Sequence, residues 1–101
     1  MARAIRVEYE GAAYHVCARG QRREAIYETE RDREIYLEIL GQMVKRYGVR
    51  IHSYCLMLNH YHLLVTTPHG NLSQAMGWME GTYAQGFNRR NRLVGHVFQG
   101  R

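Results

Sequence analysis

Asn59-His60-Tyr61-His62-Leu63-Leu64-Val65 is the stretch on which the fold turns. Side chains two residues apart in a strand share a face, so an extended chain here sets His60 and His62 side by side. Tyr61, Leu63 and Val65 then point the other way, into a core. Two adjacent imidazoles are a natural start for a divalent-metal site. On spacing alone, two sheet-face histidines without a metal is the favoured reading. The run just before it, Val49 to Leu56, also reads as a strand. Strict alternation there puts Val49, Ile51, Ser53 and Cys55 on one face, and Arg50, His52, Tyr54 and Leu56 on the other. Met57-Leu58-Asn59 turns one strand into the next.

Working outward, Pro68-His69-Gly70 breaks the chain. Asn71, with Gln74 three residues on, then caps a helix whose apolar stripe is Leu72, Ala75, Met76, Met79, Tyr83 and Phe87. Gly77, Gly81 and Gly86 weaken that helix by up to about 1 kcal/mol each relative to alanine, and are expected to let it approach the sheet closely. Glu80 is expected to face water. Asn88 to Arg92 is a basic exit, and His96-Val97-Phe98-Gln99 begins a last strand. On the N-terminal side, Ile35, Tyr36, Ile39, Leu40, Met43, Val44 and Tyr47 recur at helical spacing over about residues 30–47. Thr29 and Asp32 form a reciprocal cap at its start, and Gly48 stops it. Tyr14 to Ala18 reads as a strand, with Val16 and Ala18 on one face and His15 and Cys17 on the other; a further short strand is expected from Ile5 to Tyr9. The order strand, helix, strand, strand, helix, strand is the ferredoxin-like βαββαβ arrangement. It is an α+β sandwich with an antiparallel-rich sheet, both helices on one sheet face and the last strand cut short. The other face is left for a ligand. No repeat or linker interrupts the 101 residues, which are expected to form a single domain.

The net charge of +5 is distributed unevenly: eight of the nine acidic residues precede residue 40, and thirteen of the fourteen basic residues are arginine. Arginine's planar fork binds phosphate bidentately, so an arginine-rich half with little counter-charge points to a nucleic acid. Arg19, Arg22 and Arg23 in one turn, and Arg89, Arg90 and Arg92 in the basic exit, are the expected nucleic-acid-binding residues; the alternative is a solvated basic face, and for the turn, taken without context, an ordinary exposed turn is the favoured reading. No apolar run is long enough to cross a membrane and no signal-peptide core is present. Two cysteines, Cys17 and Cys55, make no disulfide framework. A cytoplasmic protein with reduced thiols is expected. Cys55, on the helix-facing side of its strand, reads as a small buried hydrophobe, and zinc held by His60, His62 and a cysteine is the lesser alternative.

Tyr14-His15-Val16 with Arg19-Gly20-x-Arg22-Arg23, then Cys55-Leu56-Met57-x-Asn59-His60-Tyr61-His62-Leu63-Leu64-Val65, then Phe87-Asn88-Arg89-Arg90 and Gly95-His96-x-Phe98-Gln99-Gly100-Arg101 resemble the single-tyrosine HUH transposases. Their branch is that of the REP-associated tyrosine transposases, and the resemblance runs over essentially the whole chain. It implies a metal-dependent nickase and strand transferase acting on single-stranded or hairpin DNA. Mg²⁺ or Mn²⁺ on His60 and His62 polarises the scissile phosphate, and a tyrosine becomes linked to the 5′ phosphate. A homodimer is usual for the family. The sequence departs from the pattern at Leu58, where proline is common, and at Gln21, where asparagine is. The family's nucleophilic tyrosine, and usually its third metal ligand, lie on a helix that would follow Arg101, so no residue of this chain matches them. Tyr54, Tyr61 and Tyr83 are poor substitutes, and His52 is the best local candidate for a third ligand. A catalytically inactive DNA-hairpin-binding module is the competing reading. An RNA-binding ferredoxin-like domain is disfavoured, because Tyr14 and Tyr61 do not form the usual aromatic pair on the central strands.

Overall fold

The computed structural model describes residues 8–99. Three strands, β1 (Ala12–Arg19), β2 (Arg50–Met57) and β3 (His60–Thr67), form an antiparallel sheet in the order β1-β3-β2. Helices α1 (Glu30–Tyr47) and α2 (Leu72–Asn91) supply the cover. Val16, Tyr61, Leu63 and Val65 of the sheet share one buried cluster with Tyr36, Ile39, Leu40 and Met43 of α1 and Leu72, Ala75, Met76, Met79, Tyr83 and Phe87 of α2. The α2 members are the stripe read from the sequence, all buried.

Local chemistry starts and stops these elements where it should. Thr29 accepts from the Asp32 amide and Asp32 returns a bond to the Thr29 amide, closing the reciprocal cap of α1. Gly48 ends that helix at φ +69°, a left-handed conformation that costs glycine little. Asn71 does stand at the cap position of α2, but its side chain donates to the Tyr47 carbonyl instead and so ties the start of α2 to the end of α1. The α2 glycines do not bring the helix close to the sheet. Gly77 and Gly81 face outward, and a Cβ on Gly86 would meet only the Arg90 guanidinium. Residues 5–7 of the expected first strand lie outside the described residues, and Tyr9 belongs to no strand. The fourth strand is present as a single bridge, Gly20 to Phe98, flanked by amide bonds from Gln21 to Val97 and from Gln99 to Arg19.

The main departure from expectation lies in β2. Arg50 and Ile51 oppose Thr66 and Val65, but Ser53, not His52, opposes Leu64. His52 is thus the extra residue of a β-bulge, and from Ser53 onward every β2 side chain is inverted relative to strict alternation. Leu56 joins Tyr61 on the core side and packs against the cluster, and Tyr54 falls opposite Leu63, also away from the histidine face. Cys55, expected to be buried, is exposed and stands opposite His62.

Between the helices lies one buried ion pair. Asp32 is 3% exposed and its Oδ1 receives Arg90 Nε and Nη2, each at 2.8 Å, while Oδ2 takes the Glu28 amide at 2.9 Å and the Thr29 amide at 3.3 Å. The Arg90 guanidinium also stands over the Tyr83 ring, 5.8 Å from its centroid. Glu80, expected in water, is half-buried and accepts the Tyr61 hydroxyl proton, giving that buried phenol a partner within the packing.

Candidate nucleic-acid and metal interface

The sheet face away from the helices is built in rows across β1, β3 and β2. Arg19, His60 and Met57 form one row, Cys17, His62 and Cys55 the next, and His15, Leu64 and Ser53 the third. No strand residue is acidic. The His60 and His62 rings are 5.0 Å apart between centroids and nearly perpendicular, at 85°. Each uses Nδ1 within the protein: His60 Nδ1 lies 2.8 Å from Asn59 Oδ1, and His62 Nδ1 lies 3.0 Å from His15 Nε2. That leaves both Nε2 atoms for a ligand from outside, the pattern in which a metal-binding imidazole is oriented through its second nitrogen. The donor set therefore fits a divalent cation held by two imidazoles.

His15 was missed by sequence reasoning. It stacks on His62 with ring centroids 5.1 Å apart and planes 17° from parallel. Only the register Cys17 to His62 places it there. His52, the best local candidate for a third ligand, is not part of the site: its place along β2 sets it toward the end of the sheet opposite His60, where its Nε2 bonds Thr66 Oγ1 at 2.8 Å. Among the described residues no group of three His, Cys, Asp or Glu side chains is arranged to hold a metal ion, so the zinc alternative built on Cys17 or Cys55 has no ready site, although both thiols lie on this face.

At the His60 end the chain makes a turn over Gly20–Glu24. Gly20 approaches the Glu24 carbonyl so closely that a Cβ would sit 2.1 Å from its oxygen. Arg22 and Arg23 follow at φ +56° and +61°. Two successive non-glycine residues in the left-handed region cost about 1 kcal/mol or more each, and such strain persists only where the surroundings impose it. Here the surroundings do. The Gly20 amide bonds the Asn59 carbonyl, Ile26 bonds Leu58, Gln21 bonds Val97, and Asn59 Nδ2 reaches the Arg23 carbonyl at 3.2 Å. Arg19 is held at this same end by a neutral partner: Gln99 Oε1 accepts Arg19 Nε at 3.1 Å and Nη2 at 2.9 Å. Its charge is thereby oriented without being neutralised. Arg22 and Arg23 are exposed, and among the described residues neither they nor Arg19 makes an ion pair.

The second basic group is split. Arg89 and Arg92 are exposed, with Arg92 ending α2 at φ +57°, whereas Arg90 is turned inward to Asp32. Beyond Arg92 the chain presents Val94 at 97% exposure before returning to β1.

The family model described as "Transposase IS200 like" matches residues 8–101. Among solved structures, that of a REP-associated tyrosine transposase bound to a REP hairpin superposes with a TM-score of 0.81 at 13% sequence identity, covering 100% of this chain. The chain spans 59% of that protein's length. No curated protein matches the sequence.

Proposed function

The chain belongs to the IS200-like transposase family, and on that premise we propose that its open sheet face binds single-stranded or hairpin DNA at a divalent-metal site. The observation that carries this is the meeting, at one end of the sheet, of His60 with Arg19, Arg22 and Arg23. A phosphate entering there meets the Arg19 guanidinium, held by Gln99, and the exposed guanidinium groups of Arg22 and Arg23, whose forks match its oxygens, and no strand carboxylate opposes it. The hairpin bound to the structural relative supports a hairpin ligand.

His60 and His62 would hold Mg²⁺ or Mn²⁺, and the chemistry such a cation would supply is polarisation of a scissile phosphate for metal-dependent nicking and strand transfer. The protein's own residues orient the two imidazoles, through Asn59 and His15, and grip the backbone through Arg19, Arg22 and Arg23. None of the chain's eight tyrosines is presented on the histidine face, so the 5′-phosphotyrosine step would draw its nucleophile from outside these 101 residues. A second copy of the chain is proposed along β2, whose outer edge has no strand partner among the described residues.

DNA affinity should fall steeply with salt as bound counterions are released, with a slope of about −2 in log K against log salt for the three arginine–phosphate contacts on a single strand. Replacing Arg22 and Arg23 together by alanine should weaken binding and flatten that slope by about 1.5. Binding to hairpin DNA that shows no salt dependence, or an unchanged slope in the double variant, overturns this reading.

A further inference from the structure

Asn59 occupies the two-residue turn between β2 and β3 and uses both ends of its side-chain amide. One end meets the Arg23 carbonyl at 3.2 Å and the other meets His60 Nδ1 at 2.8 Å. The chemistry of these partners removes the usual ambiguity of an amide and an imidazole. A backbone carbonyl only accepts, so the end at Arg23 is the NH₂ group. The end at His60 is then the oxygen, which also only accepts, so His60 must carry its proton on Nδ1. Neutral histidine in water favours the opposite tautomer, with the proton on Nε2. The fold therefore imposes the less common form, and it is the form that leaves the Nε2 lone pair available to a cation.

We propose that Asn59 is a positioning residue that locks His60 as the Nδ1–H tautomer and ties it to the arginine turn. This inference rests on the reading that His60 and His62 hold the divalent cation. One amide thus joins the carbonyl of a strained, phosphate-facing turn to the imidazole beside it. The turn cannot relax from its left-handed backbone without releasing Asn59 Nδ2, and Asn59 cannot rotate without offering His60 a donor in place of an acceptor. A side chain with an acceptor on one side only could orient the ring but would leave the turn unheld. The amide does both, and asparagine at this position is short enough to span the two partners from within the turn.

The test combines long-range ¹H–¹⁵N NMR of the histidine rings in the metal-free chain with Mn²⁺ binding followed by electron paramagnetic resonance. Wild-type His60 is expected as the Nδ1–H tautomer. In Asn59→Ala it should shift to the Nε2–H form, and Mn²⁺ affinity should fall about tenfold, as for loss of an outer-shell partner. Asn59→Asp keeps an acceptor toward His60 and should restore the tautomer. A purely structural role would lower the melting temperature and leave the tautomer unmoved. His60 as Nε2–H in the wild-type chain, or an Asn59→Ala variant with both wild-type tautomer and wild-type Mn²⁺ affinity, overturns the proposal. Should Asn59→Ala not fold, the wild-type and Asn59→Asp spectra decide it, Nε2–H in either counting against. Failure of the underlying reading looks different: Mn²⁺ affinity is then unchanged in His60→Ala and His62→Ala, whatever tautomer His60 adopts.

Discussion

The 101-residue chain is expected to form no covalent adduct with DNA. Incubated with a labelled hairpin and Mn²⁺ and then run on a denaturing gel, it should leave all label at the position of free DNA. Its eight tyrosines, all within the described residues, are placed away from the histidine pair. Tyr27, Tyr36, Tyr61 and Tyr83 are buried in the helix-covered core. Burial pushes the phenols of Tyr27, Tyr36 and Tyr83 well above their ordinary pKa, and a phenol held protonated is a poor nucleophile. Tyr14 and Tyr54 oppose Val65 and Leu63, which puts both on the side away from His62. Tyr47 ends α1, and Tyr9 lies beside Gly70 at the far end of the sheet. A protein–DNA band that survives denaturation and disappears in one Tyr→Phe variant would refute this and identify the nucleophile.

Asp32→Ala should destabilise the fold strongly for a single polar substitution. It removes an acceptor of four hydrogen bonds, two of them from Arg90, and strands that guanidinium at an interface where its side chain is 29% exposed. Breaking such a pair from one side costs about 3 kcal/mol, toward the low end of the range because Arg90 still reaches water. For a domain of this size that is about 15 °C in Tm, readable by thermal unfolding; a loss under about 1 kcal/mol would contradict the account. The pair also sets a pH dependence. Burial acts to raise the Asp32 pKa, but the Glu28 amide, Arg90 and the Thr29 amide outweigh it, and the net shift is downward. A carboxyl lowered in the folded state contributes fully above its ordinary pKa and loses that contribution as pH falls through the folded value, because the unfolded chain takes up the proton first. Wild type should therefore lose stability below about pH 4 more steeply than Asp32→Asn.

What could be read in advance follows from how local each feature is. Both helices were legible because a 3.6-residue stripe, a Thr29–Asp32 cap and a Gly48 stop are written within single segments. His60 and His62 were legible because neighbours two apart in a strand share a face whatever the strand pairs with. The bulge at His52 was not, since period-two alternation assumes an unbroken ladder and no residue in Val49 to Leu56 marks the extra position. That one residue moved Cys55 onto the histidine face and took Tyr54 off it. His15 and Asn59 were hidden for a related reason: each matters through a partner that only strand register or a turn brings near. Arg90 was grouped with Arg89 and Arg92 as a charge run, and its inward turn depends on Asp32, which lies 58 residues earlier.

If the His60–His62 face takes a divalent cation, paramagnetic broadening by Mn²⁺ in the amide NMR spectrum of the metal-free chain will map to it. Substoichiometric Mn²⁺ should first broaden His60, Tyr61 and His62 together with Cys17 and Cys55, which flank His62 across the sheet. The exposed acidic surface of α1, at Glu34 and Glu38, should broaden only at higher Mn²⁺. Broadening that begins at Glu34 and Glu38 and spares His60 and His62 would rule out a cation site at the histidine pair.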